Sequence, residues 1–336
     1  MEKINRKLVS LRMAYGEALV AEGKTNSNIV VLEADLGKST MSCLFKDAYP
    51  ERYFEMGIAE QSMTSTAAGL ALAGKIAFTG TFAVFAAGRA YDQIRCSAAI
   101  PGANVKICGS SCGLSDFGDG KTHQSVEDAN IIRSIPGMTV LNPCDANEVK
   151  KMVRAMIAYQ GPVYIRINRN DLPVFTPAEG DYRIGRIYPV GGGNSAGPDN
   201  SPGQETKVPA DAAIFATGVM VSKAVEAAGR LEKEGVGVQV LNVSTLKPLL
   251  SEEVLTYAAG KRVVVTAEEQ VKTGGLGGAI AAILYGEGNF DGRPPAFAQV
   301  AIDDIFGTSA RNYEELLEKY GLGAGHVYNA VKKALR

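Results

Sequence analysis

Residues 76–110 read IAFTGTFAVFAAGRAYDQIRCSAAIPGANVKICGS. Two short apolar runs, Ile76 to Thr79 and Val105 to Cys108, bracket a longer segment of helical period, Ala87 to Ala99. A buried strand, a helix and a second buried strand make a βαβ unit. Strands that read as continuous apolar runs belong to a parallel sheet covered on both faces. The alternation extends outward in both directions. Ile29 to Leu32, Met138 to Leu141 and Val163 to Ile167 read as further strands, and Leu8 to Ala21, Glu60 to Ala73 and Ala146 to Ala158 as helices. The class is α/β, with a mainly parallel sheet.

The pattern stops after Phe175. Residues 191–209, GGGNSAGPDNSPGQETKVP, are nearly free of large apolar side chains and read as a flexible linker. Strand and helix signals then resume: strands Ala212 to Ala216, Val236 to Val243 and Arg262 to Thr266, helices Ser222 to Glu234, Glu252 to Ala259 and Leu276 to Leu284. The expected organisation is an α/β domain over 1–185, a linker over 186–210 and a smaller α/β domain over 211–336.

The chain has 336 residues, 46% hydrophobic and 21% charged, with 35 basic and 36 acidic side chains. That length fits about two domains and an ample core. So even a charge balance supplies no field for nucleic acid or an anionic membrane. No apolar run approaches the ~20 residues that span a bilayer, and residues 1–13 lack an apolar signal core, which predicts a cytoplasmic chain. Five scattered cysteines form no Cys-x-x-Cys pair and read as buried thiols, with no metal site.

Three constellations can carry chemistry. His123, one of two histidines, lies in Gly118-Asp119-Gly120-Lys121-Thr122-His123-Gln124, at the carboxyl end of a strand. Open α/β sheets bind ligands along that edge, although a plain turn with a surface histidine also fits. Glu60, in Gly57-Ile58-Ala59-Glu60-Gln61, opens a helix, where a carboxylate suits the helix dipole without further function. Phe82 and Phe85, three residues apart in Gly80-Thr81-Phe82-Ala83-Val84-Phe85, form either core or a flat wall for a planar ring. The glycine-rich run Thr273 to Gly278 matches neither the dinucleotide fingerprint nor a P-loop, which removes nicotinamide and nucleotide-hydrolase readings.

In order, GIAEQ, GTFAVF, GDGKTHQ and the strand ending Arg166-Ile167-Asn168-Arg169-Asn170-Asp171 resemble the C-terminal half of transketolase, and extend to its relative 1-deoxyxylulose-5-phosphate synthase. The resemblance implies a pyrimidine-binding domain followed by a transketolase C-terminal domain, with thiamine diphosphate as cofactor. It implies that Glu60 contacts the aminopyrimidine ring and favours the tautomer that serves as base. Phe82 and Phe85 would pack on that ring. His123 and Asp119 would face the sugar hydroxyls and the carbonyl under attack, and Arg169, Arg12 and Ser39 would grip the substrate phosphate. Arginine suits phosphate because its planar fork meets two oxygens at once.

The family holds magnesium and diphosphate through a Gly-Asp-Gly motif with a trailing asparagine in an N-terminal domain. The only Gly-Asp-Gly here opens the His123 loop. The resemblance therefore implies the small subunit of a split transketolase, active only with a second subunit that supplies the diphosphate and Mg2+ domain, with two copies of each chain and self-association through this one. Three positions depart from the transketolase pattern. Ser111 replaces a phosphate-binding histidine, Gly88 an aromatic residue and Ala59 an arginine. They leave open sugars other than pentose phosphates, modified or sulfonated ones included, and the last two read more like the deoxyxylulose-phosphate synthase form. The alternatives are such a synthase, a 2-oxoacid dehydrogenase β subunit, which the Gly-Asp-Gly-x-Thr-His-Gln motif fits less well, or a non-catalytic regulatory subunit.

Overall fold

The structure, a computed structural model, describes residues 6–190, 210–290 and 293–336. Its first sheet has seven strands in the order Thr245–Lys247, Thr139–Leu141, Val163–Ile167, Val105–Ser110, Ile76–Phe82, Ile29–Glu33, Tyr53–Glu55. Six run parallel, and Thr245–Lys247 joins antiparallel at one edge. Ile29–Glu33 is buried at all five positions. Its residues divide by parity, Ile29 and Val31 into one core cluster and Val30 and Leu32 into the other. Both faces of the sheet are therefore covered, as its unbroken apolar strands require.

The second sheet has the order Ala296–Ile302, Val263–Val271, Ala212–Ala216, Val238–Asn242, Tyr188–Pro189, parallel except for the last strand. The two units are stitched together. Thr245–Lys247 follows a strand of the second sheet yet pairs with the first, and Lys247 Nζ donates to the carbonyls of Arg133 and Ile135. The stretch read as a linker, residues 186–210, lies largely outside the described residues. Of its described ends, Tyr188–Pro189 forms the edge strand just named.

Some elements differ from the sequence reading. Leu8–Ser10 is a strand paired with Asp171–Pro173, and the first helix is Leu11–Thr25, with Ser10 Oγ accepting from Met13 N at its start. Ile76–Phe82 outruns its apolar run by three residues, because Gly80, Thr81 and Phe82 still pair with Val105–Ser110. The helix expected from Ala87 to Ala99 is replaced by wide, π-type turns at Val84–Arg89 and Ile94–Ala99 around Tyr91–Gln93. Such turns recur at functional sites. All five cysteines are free; Cys108, Cys112 and Cys144 are buried, while Cys96 is exposed.

Behind the first sheet lies a buried ion pair. Arg166 donates from Nε and Nη2 to Asp128 at 2.8 and 2.9 Å, and Tyr164 Oη donates to the same carboxylate at 2.8 Å. Neither charged side chain is more than 1% exposed. The bidentate pairing, with the tyrosine bond to the same carboxylate, is what makes such burial tolerable.

Candidate active site

The site forms where strands of the first sheet end. Ile76–Phe82 passes close to its neighbour at Gly80, where an added Cβ would meet Glu33 Oε2 at 2.3 Å. The chain turns at Ala83 (φ −55°, ψ −41°) and enters the wide turn. This brings Phe85 back beside Phe82, with ring centroids 6.1 Å apart and planes within 15° of parallel. Phe82 is thus the last residue of a strand, and Phe85 lies in the wide turn that follows it.

The adjacent strand ends at Ser110, and Ser111 takes a left-handed conformation (φ +53°) that costs free energy for a residue with a side chain. The loop that follows is closed at its base by Gly113 N donating to Ser125 O. It carries the one-turn helix Gly120–Thr122 and then His123. The half-buried imidazole stands edge-on to both rings, 6.2 Å from Phe82 and 5.6 Å from Phe85. Asp119 is exposed on the same loop.

Glu60 begins the helix Glu60–Leu72 just after Gly57 (φ +68°). Its carboxylate is 3% exposed and accepts from Arg89 Nη1 at 2.8 Å. The Arg89 guanidinium lies over the Phe85 ring, 4.1 Å from its centroid. Glu60, Arg89, Phe85, Phe82 and His123 therefore form one contact chain. Glu55 Oε1 ties two neighbouring loops together by accepting from Asp35 N and Gly57 N.

The three phosphate candidates also meet. Arg12 donates from Nη1 to the Ser39 carbonyl at 2.8 Å and from Nε to the Arg169 carbonyl at 3.0 Å. Ser39 joins this contact through its backbone. Arg169 Nη1 donates to Asp116 Oδ2 at 3.2 Å and to Ser111 Oγ at 3.3 Å, and its guanidinium lies 5.5 Å from the Phe82 centroid. Burial first, and then the charge of Arg169, lowers the Arg12 pKa. Burial raises the Asp116 pKa; Arg169 opposes that shift and the charge of Asp119 adds to it.

Sequence reasoning missed Arg89, Asp116 and the residues bracing the loop from the second unit. Arg89 carried a usable signal, four residues after Phe85. Asp116 carried none. The brace is Glu269, which accepts from Leu114 N at 2.9 Å and from Tyr313 Oη at 2.6 Å, while Asn168 Nδ2 donates to Tyr313 Oη at 2.8 Å. Burial pushes the Glu269 carboxyl up to about 7. Gln124 Nε2 adds bonds to the carbonyls of Leu114, Asp116 and Thr308.

Residues 7–174 match the transketolase pyrimidine-binding domain, and residues 204–327 match the transketolase C-terminal domain. The chain belongs to the transketolase family. It is 35% identical over its whole length to a Methanocaldococcus jannaschii protein that bears the name of a transketolase C-terminal section, and covers 99% of it. It is 37% identical, over 95% of its length and 92% of the relative's, to a 6-deoxy-6-sulfo-D-fructose transketolase subunit from a Clostridium species. Against Rattus norvegicus transketolase it is 34% identical over 96% of its length but covers 49% of that protein. A solved split-gene transketolase, described as an inactive β4 tetramer, is 41% identical and covers 97% of this chain and 98% of its own, with a TM-score of 0.84.

Transketolases depend on thiamine diphosphate, and the residues present fit one end of it. A buried carboxylate beside two parallel aromatic rings suits a flat heteroaromatic ring with a nitrogen at its edge. Among the described residues no group of three or more His, Cys, Asp or Glu side chains is placed to hold a metal ion. Nor is any helix among them long and apolar enough to cross a membrane.

Proposed function

We propose that this chain is one subunit of a two-subunit transketolase, which moves a two-carbon ketol unit from a ketose phosphate to an aldose acceptor. The observation that carries this reading is the convergence of Glu60, Phe82, Phe85, His123 and Arg169 at one end of the first sheet. The extent of the matches supports the division of labour: nearly all of a transketolase C-terminal section, but half of a full-length transketolase. The partner chain supplies the diphosphate and Mg2+ site, and two copies of each chain assemble, with contacts between copies of this one.

Thiamine diphosphate, when bound, supplies the stabilised carbanion that the transfer needs. The chain's own residues have four tasks. Glu60 would hold the pyrimidine ring by accepting a hydrogen bond at the carboxylate that Arg89 reaches in this structure. Phe82 and Phe85 form the ring's apolar seat and exclude water. His123 holds and moves a proton at the substrate hydroxyl or carbonyl oxygen, and Asp119 orients the same sugar. Arg169 and Arg12, with the loop carrying Ser39, hold the terminal anion through charge-assisted bonds.

The test is co-purification with the product of a neighbouring gene that carries a Gly-Asp-Gly motif with a trailing asparagine. Ketol transfer by the pair from xylulose 5-phosphate to ribose 5-phosphate, and none by this chain alone, is the expected result. Condensation of pyruvate with glyceraldehyde 3-phosphate in its place, or full turnover by this chain alone, overturns the reading.

A further inference from the structure

Two arginines that hold a substrate's terminal anion need no carboxylate among them, yet the structure puts one there. Asp116 Oδ2 lies 3.2 Å from Arg169 Nη1, and the Asp116 side chain is 3% exposed. The Ser111 hydroxyl lies 3.3 Å from the same nitrogen and keeps its own proton to donate. Arg12 and Arg169 are near enough for one charge to lower the pKa of the other. Nη2 of both, and Nε of Arg169, have no acceptor among the described residues. The patch thus has donors to offer an anion, but its two guanidinium charges are offset by the buried Asp116 carboxylate against Arg169 and by the charge of Asp171 acting on Arg12.

A phosphate monoester carries about −1.5 to −2 at neutral pH. A sulfonate of the same tetrahedral shape carries a single charge. Each negative charge of a bound head group is repelled by Asp116 across the shared guanidinium, so the dianion meets about twice the repulsion of the monoanion. We infer that Asp116 is a specificity-determining residue that shifts the anion site away from dianionic phosphate and toward a singly charged, sulfonate-type terminus. The inference rests on the proposed reading of Arg169 and Arg12 as the substrate's anion site.

The experiment needs neither the partner subunit nor turnover. The full chain is titrated at pH 8 against methyl phosphate and methanesulfonate, with binding followed through the probes' own methyl NMR signals. Asp116→Asn keeps the side-chain shape and removes the charge. It is expected to raise the affinity for methyl phosphate about tenfold relative to methanesulfonate, equivalent to about 1.4 kcal/mol. Arg169→Gln is expected to weaken both probes. An unchanged ratio in Asp116→Asn, or equal weakening of both probes as a purely structural brace would give, overturns the inference alone. If Arg169→Gln binds both probes as well as the native chain, the anion-site reading falls and takes the inference with it.

Discussion

Glutamine in place of Glu60 removes a charge while keeping the shape of the side chain, and the structure sets the size of each consequence. In the free chain the carboxylate has one strong partner, Arg89 Nη1 at 2.8 Å, on a guanidinium that is 48% exposed. Loss of one hydrogen bond to a charged group costs about 1.5–3 kcal/mol at full burial. Here solvent already serves much of the arginine, and a neutral amide is cheaper to bury than a carboxylate. The net change in folding stability is therefore within about 1 kcal/mol, or a few degrees of melting temperature. Under the proposed function the catalytic loss is much larger. Removing one preorganised electrostatic group from an active site typically costs about 2.7–4 kcal/mol, or about 10²–10³ in kcat. The assay pairs ketol transfer by the reconstituted complex with the melting temperature of the variant chain, read by circular dichroism. A variant that melts like the native chain and retains more than a tenth of its kcat would refute the assignment of Glu60.

Three further outcomes follow from the geometry. His123→Ala should leave the melting temperature nearly unchanged and lower kcat by less than Glu60→Gln does, by a factor that varies between acceptors; steady-state kinetics on two aldoses checks this. Asp128→Asn leaves Arg166 buried without its counter-charge and should cost about 3–5 kcal/mol in urea unfolding, whereas Asp128→Leu combined with Arg166→Met should recover most of that. Because burial lifts the Glu269 carboxyl to about 7, above its unfolded value, the native state binds the extra proton. Its contribution to stability is complete below the unfolded pKa and is lost as pH rises through about 7. On the order of 2–3 kcal/mol of the change between pH 5 and 8 should therefore vanish in Glu269→Gln, measured as melting temperature against pH.

What was legible in the sequence follows from the range of the forces involved. The strands Val163–Ile167 and Ala212–Ala216 and the helix Ala146–Ala158 have the bounds that their apolar runs and period indicate. The helix is also marked locally, since Asp145 accepts from Glu148 N at its start. Pairing across distance left no such mark. Leu8–Ser10 reads as the front of a helix because its partner, Asp171–Pro173, lies more than 160 residues away. The wide turns at Val84–Arg89 and Ile94–Ala99 sit in an alanine-rich segment whose helical period fits a regular helix equally well. At the site, Glu60, the aromatic pair and His123 were visible through their order along the chain. Asp116 was not, because a carboxylate in a loop reads as solvated until Arg169, 53 residues later, is folded against it.

The second unit places Tyr313, Asn168's partner, and Glu269 behind the site and not in it, yet the site depends on them. The loop from Ser111 to His123 begins with a strained residue and has two exposed charges, Asp119 and Lys121, near its tip. Left alone, such a loop would sample many conformers, and each ordered backbone residue costs about 1–2 kcal/mol of entropy. Glu269 fixes the loop at Leu114 N, and Gly113 allows the approach, since a Cβ there would meet Glu269 Oε2 at 2.3 Å. Through Tyr313 Oη the same carboxylate reaches Asn168, the neighbour of Arg169. One buried group from the second unit thus fixes the position of the histidine loop and the arginine strand relative to each other. Rigid support of this kind suits the ketol transfer proposed above, because small displacements of positioning groups cost large factors in rate. It also explains why the two units share a strand and a hydrogen-bond network: separated, the first would keep every candidate side chain and lose their registration.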